Sequence, residues 1–424
     1  MNYQQAVEFL YAQLPMYQRV GAMAFKKDLT NTLALCARLG NPHRNLKFVH
    51  VAGTNGKGSS SHMLAAVFQS AGYRTGLYTS PHLKSFTERI KVNGTEVSQN
   101  FVIRFTERAS DWIAEIRPSF FELTVAMALE YFAEQKVDIA ILEVGLGGRL
   151  DSTNVIEPEL SLITNIGWDH MDMLGDTLPK IAGEKAGIIK AGKPVVISEH
   201  QPETDEVFIR KARELNSVCT FATDRVTVTD VSGGFEIGID GKSSFRLIPQ
   251  LKGDYQRKNI AGVVCSALLL REQGWQISEA HLREGIERVV ELTGLKGRWQ
   301  RLSDYPLTIC DTGHNFDGVR EVVTQLQKQK YNHLHIVWGS VRDKDITGIL
   351  ALLPTEAQYY FCEARIPRAM PARELAEKAA GFGLQGLVIP DVNQALAAAR
   401  SAAGGDDLIF IGGSTFVVAE LDQL

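Results

Sequence analysis

From Lys47 onward, short apolar runs alternate with amphipathic stretches, and the apolar spacing switches between that of buried strands and that of helices. Lys47 to Ala52, Asp138 to Val144, Leu160 to Ile166 and Pro194 to Ser198 read as strands, and Ser59 to Ala71 as a helix. Such alternation needs crossover connections, so it predicts an α/β fold with a mostly parallel sheet covered by helices. Ahead of it, Asp28 to Leu39 reads as a helix ended by Gly40 and Asn41-Pro42. Between Arg225 and Leu251 the period becomes two. Val226, Val228, Phe235, Ile237, Phe245 and Leu247 alternate with polar residues around Gly233-Gly234 and Asp240-Gly241-Lys242, which predicts a small antiparallel meander at the domain's edge.

Helical patterns resume at Gln256 to Glu272 and Ser278 to Glu291, and Leu292 to Gly297 then supplies two glycines in six residues. A domain boundary is expected there, dividing the chain into 1–296 and 297–424. After it come strands near Leu307 to Cys310, His333 to Trp338, Tyr359 to Cys362, Gly386 to Ile389 and Leu408 to Ile411. Helices at about Gly318 to Gln329, Ala372 to Ala380 and Val392 to Ala402 fall between them. This second unit reads as a smaller, doubly wound, Rossmann-like α/β domain. No internal repeat or low-complexity tract interrupts the pattern.

Composition narrows the class. A chain of 424 residues exceeds the size at which single cores stop growing, so two domains are expected. With 45 basic against 49 acidic residues the net charge is -4, which leaves no cationic excess for a nucleic-acid backbone. Hydrophobic residues at 45% and charged residues at 22% suit large cores rather than disorder. No apolar run is long enough to span a membrane, and Met1 to Tyr11 lacks a signal peptide's basic start and apolar run, so a cytoplasmic protein is expected. Cys36, Cys219, Cys265, Cys310 and Cys362 lie far apart with no CxxC pair, which fits reduced, mostly buried thiols.

The chemistry concentrates in His50-Val-Ala-Gly-Thr-Asn-Gly-Lys-Gly-Ser59, between a strand and a helix. Glycines at 53, 56 and 58 let the backbone turn its amides inward, the helix start favours negative charge, and Lys57 adds a mobile cation. ATP is the natural ligand, bound by Gly53, Thr54, Asn55, Gly56, Lys57, Gly58 and Ser59. The common phosphate-loop pattern is not met: Val51 stands where its first glycine would be, and Gly58 separates Lys57 from Ser59. Glu143 ends an apolar strand where phosphate-loop enzymes place an acid that holds Mg²⁺, with Ser59 as a hydroxyl ligand. Gly145, Gly147 and Gly148 keep the following backbone bare. Read by itself, Lys185 is a solvated helix lysine within Leu178 to Ile188.

The string Gly53 to Ser59 resembles the loop of folylpolyglutamate and dihydrofolate synthases, members of the Mur ligase superfamily of ATP-dependent amide-bond formers. Further strings agree in order along nearly the whole chain: Ser80-Pro81-His82-Leu83 with Glu88-Arg89-Ile90, Glu143 to Asn154, Asp169-His170 and Glu184-Lys185-Ala-Gly-Ile-Ile189. Gln256-x-x-Asn259, Gly297-Arg298-Trp299 and Asp311-x-x-His314-Asn315 continue the series, although Thr312 and Gly313 replace the family's usual Gly-Ala.

The resemblance implies a first domain of the Mur ligase central type, ATP and Mg²⁺ as co-substrate and cofactor, and L-glutamate joined to dihydropteroate or a reduced folate through an acyl phosphate. It implies His170 as a third metal ligand and Lys185 as a carbamylated lysine that holds a second Mg²⁺. It also places Asp311 and Arg298 on ribose and phosphate, Asn259 near the adenine, and His314 as a candidate base for the glutamate amine. Val341-Arg-Asp343-Lys344-Asp345 resembles a further family loop, or is a solvated charge run. For the pterin, Ser80, Pro81, His82, Phe86 and Arg89 with Phe120 and Phe121 could stack a flat ring and meet its polar edge, or both aromatic residues of the pair are core. A monomer acting on small molecules, without nucleic acid or membrane, is expected. The alternatives are a muramyl-peptide ligase, which carries a domain of roughly 100 residues before its phosphate loop where 52 residues precede Gly53 here, and a phosphate-loop kinase or nucleotide switch.

Overall fold

The computed structural model describes residues 1–15, 28–342 and 345–424. They divide into two compact units, Met1–Gln250 with Gln256–Leu295, and Leu251–Tyr255 with Lys296–Leu424.

The first unit is built on an eight-stranded sheet. Its strands are β1 (Phe48–Ala52), β2 (Thr75–Tyr78), β3 (Ile90–Val92), β4 (Thr95–Glu96), β5 (Ile139–Glu143), β6 (Leu160–Ile163), β7 (Val195–Ile197) and β8 (Cys219–Phe221), in the order β4-β3-β2-β5-β1-β6-β7-β8. β3 and β4 join antiparallel at one edge, and the remaining pairs are parallel. Every residue of β1, β5 and β6 is buried, as strands covered by helices on both faces must be. β1 lies between β5 and β6, where the chain direction of the crossovers reverses; open α/β sheets bind ligands at that point. The helix Lys57–Ser70 leaves β1 there and is buried from Gly58 to Phe68. On one face the helices Gln99–Ile116 and Phe120–Glu134 pack a large core that includes Phe48, Tyr78, Phe105 and Phe132. Ser119 starts the second of these with a capping box closed by Glu122.

The alternating segment forms an antiparallel meander of β9 (Val226–Val231), β10 (Gly234–Ile239) and β11 (Ser243–Leu247). Gly233, Asp240 and Gly241 take the positive φ of tight hairpin turns, and Phe235 faces Leu247 while Ile237 faces Phe245 across the ladder. The expected helix from Ser278 to Glu291 is two helices, Glu279–Glu287 and Val289–Thr293, because Arg288 leaves the helical region. β6 also stops at Ile163, short of Ile166, since the next residues turn their backbone toward the loop after β1.

The second unit carries β12 (Gln300–Asp304), β13 (Leu307–Cys310), β14 (Leu334–Trp338), β15 (Gln358–Phe361), β16 (Gly386–Val388) and β17 (Leu408–Gly412) in the order β12-β13-β17-β14-β15-β16. All pairs are parallel except β12 with β13. Helices Phe316–Gln327, Ala372–Ala380 and Val392–Ala402 complete a doubly wound α/β layer structure with a core on each sheet face.

Candidate active site

In the first unit the site grows from the end of β1. Val51 pairs with Glu143 in the β1–β5 ladder, so the sheet register sets the acid level with the start of the loop. Gly53 and Gly56 have φ of +144° and +87°. A Cβ at Gly53 would stand 1.8 Å from Thr164 Oγ1, and one at Gly56 2.2 Å from Asn259 Oδ1, so these glycines are needed both for backbone conformation and for space.

The segment after β6 holds the loop in shape. The Thr54 amide donates to Asn165 O at 2.8 Å and the Asn55 amide to Asn165 Oδ1 at 2.8 Å. Thr54 Oγ1 accepts from the Gly167 amide at 3.0 Å, and Thr164 Oγ1 donates to Asn55 O. These contacts occupy the outer edge of residues 53–55, and the helix that starts at Lys57 presents the positive end of its dipole, which suits an anion.

Two lysines converge on one carbonyl. Lys57 Nζ donates to Gly53 O at 3.0 Å and Thr54 O at 3.1 Å, while Lys185 Nζ, from the helix Leu178–Ala186, donates to Gly53 O at 3.0 Å. Lys185 is 4% exposed. Burial, and next the neighbouring Lys57, push its amine down to about 7. Lys185 is therefore not a solvated helix lysine.

Glu143 is buried, and its Oε2 accepts from the Ser80 amide at 3.1 Å. Ser59 Oγ accepts from Gln256 Nε2 at 3.2 Å, and Gln256 Oε1 accepts from Asn259 Nδ2 at 2.8 Å. Asn259 is thus buried against Gly56, and Gln256, in the sequence only one letter of a motif, touches the loop's hydroxyl directly. His170 takes a left-handed conformation after Asp169 and is partly buried. Ser59, Glu143 and His170 offer a hydroxyl, a carboxylate and one imidazole, a predominantly hard donor set that fits Mg²⁺. Among the described residues no group of three or more His, Cys, Asp and Glu side chains is spaced to hold a metal.

Beneath the loop, a buried chain runs from β1 to the turn after β5. His50 Nε2 donates to Thr153 Oγ1 at 2.8 Å, Thr153 donates to Asp151, and Asp151 Oδ2 accepts from the Leu146 amide at 2.8 Å. Burial, then Lys190, drives His50 down to about 3, so it stays neutral.

The expected pterin residues separate by burial. Phe86 and Phe120 are 2% and 3% exposed and belong to the core, sealed by Tyr11 and by the Arg89 guanidinium 5.2 Å above the Phe120 ring. Phe121 is partly buried and packs on Gly145, where a Cβ would come within 2.4 Å of its ring. Ser80, Pro81 and His82 remain accessible in part. Buried Arg89 donates Nε–H to His82 Nδ1 at 2.8 Å, so His82 carries its proton on Nε2, 3.2 Å from Tyr11 OH. Burial, then Arg89, lowers His82 to about 3. Tyr11, on the helix Tyr3–Gln13, had no signal in the sequence.

In the second unit, Asp311 follows β13 at the sheet's carboxyl edge. Its Oδ2 accepts from Tyr255 OH at 2.6 Å and the Trp299 amide at 2.7 Å, and its Oδ1 from the Gly313 amide at 2.8 Å. Burial and Asp311 push the Tyr255 phenol well above its ordinary value, so it remains a donor. Arg298 Nη1 donates to Gly297 O and to Thr312 Oγ1, and His314 Nδ1 lies 2.9 Å from Thr312 O. Asp343 and Lys344 of the expected charged loop lie outside the described residues.

A phosphate loop on a parallel sheet, with an acid on the adjacent strand and a buried lysine at the loop's carbonyl, defines the class of ATP-dependent ligases built on the Mur fold. Residues 51–267 match the Mur ligase middle domain, and residues 297–415 the Mur ligase glutamate ligase domain. A curated dihydrofolate synthase/folylpolyglutamate synthase from Bacillus subtilis is 32% identical over 437 residues, covering 99% of this chain and 98% of its own. Its Escherichia coli counterpart is 31% identical over 426 residues, covering 99% and 96%. The E. coli FolC structure solved with DHPP and ADP superposes with a TM-score of 0.86 at 29% identity, covering 99% of this chain and 96% of that one. A bifunctional folylpolyglutamate synthase/dihydrofolate synthase solved with Mn, AMPPNP and L-glutamate gives 0.84 at 29% identity, covering 99% and 97%. The chain belongs to the dihydrofolate synthase/folylpolyglutamate synthase family of Mur ligases.

Proposed function

We propose that this ATP-dependent ligase adds L-glutamate both to dihydropteroate and to reduced folates that already carry glutamate. The relatives' names and their ligands, DHPP, ADP, AMPPNP and glutamate, support this reading. The observation that carries it is the loop at residues 53–59, with Lys57 and Lys185 on the Gly53 carbonyl.

The substrate carboxylate attacks the γ-phosphorus of ATP, ADP leaves and an acyl phosphate forms. The neutral glutamate amine then attacks the acyl carbon, phosphate departs with one carboxylate oxygen, and the amine's proton passes to a base, for which His314 is the candidate. Apart from the amine the reacting groups are anionic, so charge neutralisation and positioning dominate. Amides of residues 53–59 and the Lys57 ammonium hold the phosphates. Ser59, Glu143, His170 and Lys185 as its carbamate would hold Mg²⁺, which supplies charge neutralisation when bound. An amine near 7 is about half neutral at pH 7 and mostly neutral by about pH 8, and can add to CO₂, giving the carbamate and a proton. Electron density beyond Lys185 Nζ at saturating bicarbonate tests this assignment, and a bare amine would refute it. Ser80, Pro81, His82 and Phe121 offer the pterin its accessible surface, with Arg89, Phe86 and Phe120 behind it. Asn259 reaches the nucleotide through Gly56. Arg298, Asp311 and His314 enter on the resemblance alone.

A monomer in the cytoplasm, acting on small molecules without nucleic acid, completes the proposal; light scattering checks the mass. Phosphate release is measured with ATP and glutamate plus dihydropteroate, a reduced folate or a muramyl peptide. Release with both pterins is expected. Release with the peptide, or release independent of pterin and glutamate, would overturn the reading in favour of a cell-wall ligase or a nucleotide switch.

A further inference from the structure

β6 and β7 stop at Ile163 and Ile197, so residues 164–167 lie beyond the sheet ladder. Their main-chain groups need partners from elsewhere, because buried N–H and C=O groups are costly to leave unpaired. For Ile166, whose residue is 3% exposed, both partners come from one side chain. Its amide donates to Gln201 Oε1 at 2.7 Å, and its carbonyl accepts from Gln201 Nε2 at 2.8 Å. One carboxamide thereby takes the place of a neighbouring strand.

Gln201 is itself fixed at the start of the helix Asp205–Glu214. Its amide donates to Asp205 Oδ1 at 2.8 Å, and its carbonyl accepts from the Thr204 and Asp205 amides at 2.8 and 3.0 Å. The residues it holds flank Ile166 on both sides: Asn165 takes the Thr54 and Asn55 amides, and Gly167 bonds to Thr54 Oγ1. Four residues past Ile166 stands His170.

We propose that Gln201 is a positioning residue for nucleotide binding, clamping the Asn165–Gly167 backbone that in turn sets the shape of the phosphate loop. The proposal rests on the ATP-dependent reading above. Without the clamp, the Ile166 groups either go unpaired or move to find partners, and Thr54 and Asn55 shift with them. The pterin and glutamate contacts are untouched, so the defect falls on ATP.

The test uses the full-length enzyme with Gln201→Met, which keeps bulk and loses both bonds, and Gln201→Glu. For Gln201→Met the KM for ATP should rise about tenfold, the scale of one lost hydrogen bond, with the KM values for glutamate and dihydropteroate unchanged. Gln201→Glu should match it at about pH 8, where a carboxylate faces the Ile166 carbonyl. As the pH falls to about 4.3, the ordinary glutamate value, a carboxyl that is about half protonated can again donate and accept, so its ATP KM should return toward wild type relative to Gln201→Met at the same pH. The other titratable groups in this corner, His200, Asp205 and Asp224, are common to all three proteins, so wild type and Gln201→Met at the same two pH values report their own titration.

An unchanged ATP KM, an equal rise for all three substrates, or a Gln201→Glu that does not recover would overturn the proposal. Should Gln201→Met not fold, Gln201→Glu at the two pH values carries the test. If the wild type itself makes no amide, the functional reading fails, and ADP affinity by calorimetry still decides on Gln201.

Discussion

The two units solve the same structural problem, shaping a loop at the carboxyl edge of a parallel sheet, with opposite materials. In the first, glycines and main-chain bonds to the neighbouring segment fix residues 53–55, and the cations of Lys57 and Lys185 reach in to the loop's own carbonyls. In the second, the charge is the scaffold: the Asp311 carboxylate is taken up by Tyr255, Trp299 and Gly313 of its own unit. A cation on carbonyls shapes one loop and an anion on N–H and O–H donors the other, so a charged residue in a motif can serve its own backbone, and only the partners tell which.

The contrast is sharpest at Lys57. Lys57→Ala removes the loop's cation and should cut the ligation rate about a thousandfold or more with little change in melting temperature. A rate within tenfold of wild type would break the first half of the comparison. Gly53→Ala comes next. Its methyl would overlap Thr164 Oγ1 at 1.8 Å with φ at +144°, so a loss of about a hundredfold in kcat/KM for ATP is expected together with a lower melting temperature.

Lys185 gives a pH signature. Its amine sits at about 7 against an ordinary 10.5, so the fold disfavours the proton. The resulting penalty is full at and below pH 7 and fades as pH rises toward 10.5, where the unfolded chain also loses its proton. In CO₂-depleted buffer Lys185→Met should thus raise the melting temperature by several degrees near pH 7, with the gain shrinking by pH 10. A gain that grows with pH would contradict the burial argument. The smallest effect is expected in the second unit: Tyr255→Phe removes one donor to Asp311 and should cost about 1 kcal/mol in denaturant unfolding, leaving the nucleotide KM nearly unchanged.

Much of this was legible in the sequence. The phosphate loop could be read because backbone geometry demands glycine at particular positions, and β1, β5, β6, β13 and β17 because doubly covered strands are continuous apolar runs. Strand β2 and the helix Phe120–Glu134 left little signal, the first because four residues carry little periodicity and the second because it is buried nearly all round, whereas the helix Gln99–Ile116 was legible in its stripe of Phe101, Phe105, Ala109 and Ile113. β6 is shorter than its pattern suggests because Ile166 resumes the apolar run after polar Thr164 and Asn165, yet the backbone of these residues is drawn to the phosphate loop. Gln201 and the inward role of Asp311 left no pattern at all, because both act on main-chain groups that every residue possesses. Phe86, Phe120 and Phe121 looked equivalent by composition, and burial alone distinguishes the first two from the third.

Transfer of oxygen tests the acyl-phosphate chemistry most directly. Dihydropteroate labelled with ¹⁸O in its carboxylate is converted with ATP and glutamate, and the inorganic phosphate is examined by mass spectrometry. One labelled oxygen in each phosphate released is the expected result; phosphate free of label, with amide formed at the normal rate, would contradict it.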